Sequence, residues 1–167
     1  MGLVDRQERV RRAFAHVEPD RVPLFELTID NPTAAHVLGR DNLCGFGGRV
    51  RGILQNEALM DGRFPAFHAQ QVADTIELWR KLDLDVYPNV APIPKNPTVP
   101  EQIGEYRWRF TDPTTGQWVE TLYSPISDAY DQVDSSLRQG GIDDLRVHVE
   151  AVEAAEPSLD DWDFTPV

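Results

Sequence analysis

Apolar positions near the start of the chain fall into a helical rhythm. Val10, Phe14 and Val17 recur at four and three residues, with Arg6, Glu8, Arg9 and Arg12 between them. That stripe predicts a helix over 5–17, its apolar face buried and its arginines in water. Asp5 and Glu8 have the spacing of a capping box, and Pro19 ends the helix in a Glu-Pro-Asp-Arg turn. The rhythm then disappears. Residues 22–27, Val-Pro-Leu-Phe-Glu-Leu, are almost continuously apolar, which predicts a strand buried on both faces in a parallel sheet. Asn31-Pro32-Thr33 opens a short second helix that ends at Gly39.

Residues 41–52 hold Gly45, Gly47, Gly48 and Gly52 and read as a loop; these glycines fit neither a dinucleotide fingerprint nor a phosphate-binding P-loop. Helical spacing returns over 65–82, where Val72, Ile76, Trp79 and Leu82 form a stripe flanked by Ala69 and Ala73, with Trp79 in the core. A second strand is expected over 85–90, after which Pro92, Pro94, Pro97 and Pro100 keep the chain extended. The period changes to two over 105–122. Tyr106, Trp108 and Phe110 alternate with Arg107 and Arg109, and Trp118 to Leu122 follow Asp-Pro-Thr-Thr-Gly, the pattern of a β-hairpin. Residues 124–141 are polar, and Asp128, Asp131 and Asp134 lack the glycine and glutamate of a calcium loop, so a solvated turn or helix face is expected. Leu145, Val149 and Val152 predict a last helix over 142–155, with Trp162 and Phe164 tying down the tail.

Three stretches carry a family resemblance. Arg6-Gln7-Glu8-Arg9-Val10-Arg11-Arg12-Ala13-Phe14-Ala15-His16, then Glu18-Pro19-Asp20-Arg21-Val22-Pro23 and a hydrophobic segment, resembles the amino terminus of the uroporphyrinogen decarboxylase superfamily. That superfamily joins the decarboxylases of haem synthesis to corrinoid-linked methyltransferases. The run from Leu78 to Val86 is similar to its helix-to-second-strand junction. Gly140 to Leu145 and Asp160-Asp161-Trp162 look like its segment before the next barrel strand. The resemblance implies an α/β fold, the N-terminal part of a (β/α)8 TIM barrel, with the 105–122 hairpin inserted after strand two as a lid or an inter-subunit contact.

A whole barrel needs roughly 250 residues, so the 167 residues here are expected to form a single domain that is about half of one. Completion by a homodimer partner or by a chain carrying the C-terminal half is the corollary, because open strand edges invite pairing. The methyltransferases' His-x-Cys and distant Cys zinc ligands belong to that missing half. Zinc and a corrinoid, with a corrinoid protein as partner, are thus implied for the complete enzyme and no cofactor or metal ligand for this chain. Where the decarboxylase branch has Met-Arg-Gln-Ala-Gly-Arg-Tyr, Leu27, Thr28, Ile29 and Asp30 stand; where it has an aspartate after strand two, the chain reads Asn89-Val90-Ala91-Pro92. These departures place it nearer the corrinoid-methyltransferase branch.

In such a barrel, loops at the carboxyl ends of strands build the site. Glu26 and Asp30 are the expected catalytic carboxylates, although either carboxylate also suits a cap or an ion pair. Thr28, Arg49, Arg51 and Asn89 are the expected substrate-binding residues, the arginines able to grip a carboxylate or phosphate in bidentate fashion or to pair with Asp41 and Glu57. The function expected is corrinoid-linked methyl transfer or a related decarboxylase-like reaction. The alternative is a non-catalytic truncated domain that binds a ligand or a partner chain.

Charge narrows the partners. The net charge is -12, and it is uneven: Lys and Arg number 11 against 12 Asp and Glu through residue 84, but 5 against 16 beyond it. Such a field repels phosphate backbones, which argues against nucleic acid. No apolar run approaches the twenty residues of a membrane span, and the first 22 residues lack a signal peptide's shape. With the single Cys44, a cytoplasmic setting is expected.

Overall fold

The computed structural model describes residues 5–44, 47–86, 93–154 and 162–163. In chain order the elements are α1 (Arg6–Phe14), α2 (Asn31–Leu38), a π-helical turn (Val50–Leu54) running into α3 (Gln55–Met60), and α4 (Phe64–Lys81). There follow β1 (Ile93–Pro94), β2 (Glu101–Gly104), β3 (Arg107–Thr111), β4 (Trp118–Ser124), β5 (Ala129–Ser135), α5 (Ser136–Gly140), α6 (Ile142–Ala154) and β6 (Trp162–Asp163). They fall into two units, one within Met1–Phe46 and Ala69–Val90, the other within Gly47–His68 and Ala91–Val167.

This is not a portion of a (β/α)8 barrel. Strands β2, β3, β4 and β5 form one antiparallel sheet in that order, and β1 pairs with β6 antiparallel; among the described residues no strand pair is parallel. The first barrel strand, expected over 22–27, is not a strand here. Val22, Leu24, Phe25 and Leu27 are 76, 47, 64 and 72% exposed. A strand buried on both faces needs ladder partners along its edges and cover over its faces, and this segment is anchored instead at one point. The Leu24 N–H donates to Asp85 Oδ2 at 2.8 Å and its carbonyl accepts from the Asp85 N–H at 2.7 Å. Of the second expected strand, Asp85 and Val86 form a bend, and 87–90 lie outside the described residues.

The first unit is built on α2 and the later turns of α4. Ala34, Leu38, Cys44, Leu78 and Trp79 make its core, with Ile29, Val37, Leu82 and Leu84 packed at the margin. Trp79 also donates its indole N–H to the Val86 carbonyl at 2.8 Å, the partner a buried indole needs. The buried stripe of α4 includes Val72, Asp74, Thr75 and Leu78, whereas Ala69 and Ala73 face water.

Helix α1 turns the other way from its apolar stripe. Arg9 is buried, with 4% of its surface exposed, while Phe14 is 83% exposed. The capping box does not form: the Asp5 side chain caps nothing, and Glu8 accepts from Arg11 at 2.7 Å and Arg12 at 3.0 Å. At α2 the cap is Asp30, not Asn31; Asp30 Oδ1 accepts the Thr33 N–H at 3.1 Å. Asn31 instead donates to the carbonyls of Asn42 and Cys44 at 3.1 and 2.8 Å, folding 42–44 back onto the helix.

In the second unit β3 and β4 form a hairpin with Trp108 opposite Thr121 and Arg109 opposite Glu120. Asp112 Oδ1 accepts the N–H groups of Thr114 and Thr115 at 2.7 and 3.0 Å, and Gly116 takes the left-handed φ of +72° that closes the turn. Trp108 and Tyr123 are buried. The polar stretch expected as a turn or helix face supplies β5, because its ladder with β4 satisfies the backbone while alternate side chains stay wet. Nor is 41–52 a loop throughout; from Gly48 onward it is helical. There the glycines serve close packing. The Gly48 N–H donates to the Asp128 carbonyl at 2.9 Å, and a Cβ on Gly52 would meet Tyr130 Cδ2 at 2.6 Å and Tyr123 Cβ at 3.0 Å. No helix among the described residues is long and apolar enough to cross a membrane.

Candidate functional site

The expected site residues separate between the units. Glu26, Thr28 and Asp30 lie in the first, on the segment leading into α2, and all three are exposed. Glu26 Oε1 accepts the neighbouring Leu27 N–H at 2.9 Å. Asp30 is engaged as the cap of α2. Both carboxylates thus hold local backbone, in water, in the manner of turn and cap residues. Arg49 and Arg51 belong to the second unit and are exposed; the Arg49 N–H donates to Asp128 Oδ1 at 2.8 Å. Asn89 lies outside the described residues.

What the first unit does bring together is a buried ionic cluster at the root of 22–27. Arg9 donates from Nε and Nη2 to the two oxygens of Asp20 at 2.7 and 2.8 Å, and its Nη1 contacts Asp85. The Asp85 side chain has no exposed surface, and it also receives Arg21 at 3.1 Å and the Leu24 N–H. Arg21 and Arg6 in turn hold Asp83 at 3.0 and 2.9 Å. The hydrogen bonds from Arg9, the largest influence, hold the Asp20 carboxyl down at about 2. Hydrogen bonding from Arg6 lowers Asp83.

Asp85 accepts from two guanidinium groups and a backbone N–H, and with no exposed side-chain surface it has no open approach for a substrate. The cluster is therefore a clamp that positions 22–24 against 83–85. Sequence reasoning set Arg9 in solvent because one arginine on the polar face of a short helix resembles any other. The usable signal was Asp20 in the turn, a carboxylate close enough in sequence to fold back onto α1.

Cys44, fully buried, donates its thiol to Asn42 Oδ1 at 3.0 Å. Burial, assisted by the charge of Asp74, pushes that thiol up to about 11, so it stays protonated and unreactive near neutrality. Among the described residues no three His, Cys, Asp or Glu side chains converge to hold a metal ion.

In the second unit Glu120, 4% exposed, is held between Arg107 and Arg109, the latter donating from Nε at 3.0 Å. The Arg109 hydrogen bonds, with those of Arg107 next, lower the Glu120 pKa against the opposing effect of burial. Arg109 also stacks over Trp118, its guanidinium carbon 4.7 Å from the ring centre. Both arginines of this hairpin are thus engaged by Glu120, and Arg109 by Trp118 as well. No protein-family model, curated protein or solved structure matches the chain.

Proposed function

We propose that this chain is the amino-terminal part of a uroporphyrinogen-decarboxylase-like protein, and that segment 22–27 is the surface on which a chain carrying the superfamily's carboxyl-terminal half docks to complete an enzyme. One observation carries the docking: Val22, Leu24, Phe25 and Leu27 stand 47 to 76% exposed on a segment whose root is clamped by Asp85. Full burial of such a side chain contributes about 1.5–3 kcal/mol, so a preorganised row of four is a strong adhesive surface. Phe14 and Val17, also exposed, extend the apolar character of the same unit.

Glu26 sits within this row. A partner that covers the segment would exclude water from the Glu26 carboxylate and bring it within the interface, where a substrate held by the assembly could meet it. Leu27, Thr28, Ile29 and Asp30, standing where the decarboxylase branch has its arginine motif, favour corrinoid-linked methyl transfer as the reaction of the assembly. Zinc and the corrinoid belong, in this reading, to the other components.

Co-expression with the carboxyl-terminal half of a corrinoid-methyltransferase-type member is the test. The expected result is a one-to-one complex by light scattering, dissolved by Phe25→Ser with Leu27→Ser, and zinc-dependent methyl transfer that Glu26→Gln lowers at least about tenfold. Absence of a complex overturns the docking. A complex whose activity ignores Glu26→Gln leaves the second reading, a non-catalytic binding domain, which the local hydrogen bonds of Glu26 and Asp30 favour.

A further inference from the structure

The second unit has a cavity of about 490 Å³ between the β3–β4 hairpin and α6, within the range of small-molecule sites. Phe110, Val119 and Val152 supply apolar wall; Asp112, Gln117 and His148 supply the polar groups. Their hydrogen bonds settle what those groups offer. Gln117 Nε2 donates to the Asp144 carbonyl at 3.0 Å, which only the amide nitrogen can do, so Gln117 Oε1 faces His148 Nδ1 at 2.8 Å. The Nδ1 therefore carries the proton. In the neutral imidazole, Nε2 is then left as an acceptor.

Asp112 is the second acceptor. Backbone N–H groups of Thr115 and Thr114 lower its pKa, so it remains a carboxylate at neutral pH. The residues around the cavity belong to the acidic half of the chain, with 5 Lys and Arg against 16 Asp and Glu. We propose that this cavity binds a small organic cation, an ammonium on an aromatic or aliphatic body, with the body against Phe110 and Val119 and the ammonium directed to Asp112 and His148. Charge complementarity selects the occupant. An anion of the same shape would meet the carboxylate with no compensating cation among the polar groups named.

Calorimetry on the full chain with an isosteric pair of opposite charge, tryptamine and indole-3-acetate, tests the assignment. Tryptamine should bind at least about tenfold more tightly than the acetate, and Asp112→Asn should remove that preference, as loss of one charge-assisted hydrogen bond requires. Val152→Trp, at a position 60% exposed on α6, should fill the cavity and abolish tryptamine binding without disturbing the fold. Amide NMR shifts on adding tryptamine should centre on Asp112 and His148. Equal affinity for the two probes, no binding of tryptamine, retention of the preference in Asp112→Asn, or shifts centred elsewhere would each overturn the proposal.

Discussion

Asp85 combines three duties in one buried side chain: it accepts from Arg9, from Arg21 and from the Leu24 backbone. Asp85→Ala takes from Arg9 and Arg21 the buried carboxylate they share, with Asp20 and Asp83 remaining to them, and leaves the Leu24 N–H without its side-chain acceptor. Breaking a buried pair in this one-sided manner typically costs about 3–5 kcal/mol, and a lowered urea midpoint of the full chain is the expected reading. Asp20 contributes a pH dependence with a definite sign. Its folded pKa, about 2, lies below the usual aspartate value near 3.9, so the unfolded state binds its proton first. The stabilisation is present above about pH 4 and drains away as pH falls toward 2. Unfolding midpoints measured across that window should drop in the native sequence, and Asp20→Asn should flatten the part due to this group.

The elements reveal a different kind of constraint. The glycines of 41–52 resemble a flexible loop in sequence, yet Gly52 sits in a π-helical turn pressed onto β4 and β5. A methyl there has to displace Tyr123 Cβ and the Tyr130 ring. Overpacking of that degree costs about 1–3 kcal/mol, expected as a lower thermal midpoint for Gly52→Ala and as altered shifts of both tyrosines. Helix α2 gives the milder case. Loss of the Asp30 cap through Asp30→Ala should cost about 1 kcal/mol, with the effect read by denaturation and without change in the cavity of the second unit. The hairpin was legible because alternation and an Asp-Pro-Thr-Thr-Gly turn are local signals. Strand β5 was not, since an edge strand with polar side chains is identified by the ladder it joins and not by its own composition.

Over the whole molecule, exposed apolar side chains are the outstanding feature. Besides the 22–27 row, α6 has no buried residue, and Ile142, Leu145, Val149 and Val152 stand 43–62% exposed along it. Surfaces of this kind mark association. Light scattering of the chain alone should therefore show a mass that rises with concentration, and Phe25→Ser with Leu27→Ser should reduce the rise. An unchanged concentration dependence would assign self-association to another surface. The net charge of -12 opposes that association, so raising salt should strengthen it by screening.

By itself, the sequence determined what short-range physics controls: α4 from its repeating apolar positions, the end of α2 at Gly39, the β3–β4 hairpin from its alternation and turn, and the acidity of the second half. The same reasoning misjudged which way α1 faces. An apolar stripe states that burial is favourable, but only the tertiary structure decides whether a surface exists to receive it. Arg9 found two carboxylates, one of them 76 residues away, and their combined hydrogen bonds outweighed the burial of Phe14. Likewise 22–27 has the composition of a buried strand without a ladder partner among the described residues. Strand identity and ionic clustering depend on distant residues meeting, and their sequence separation carries no periodic trace.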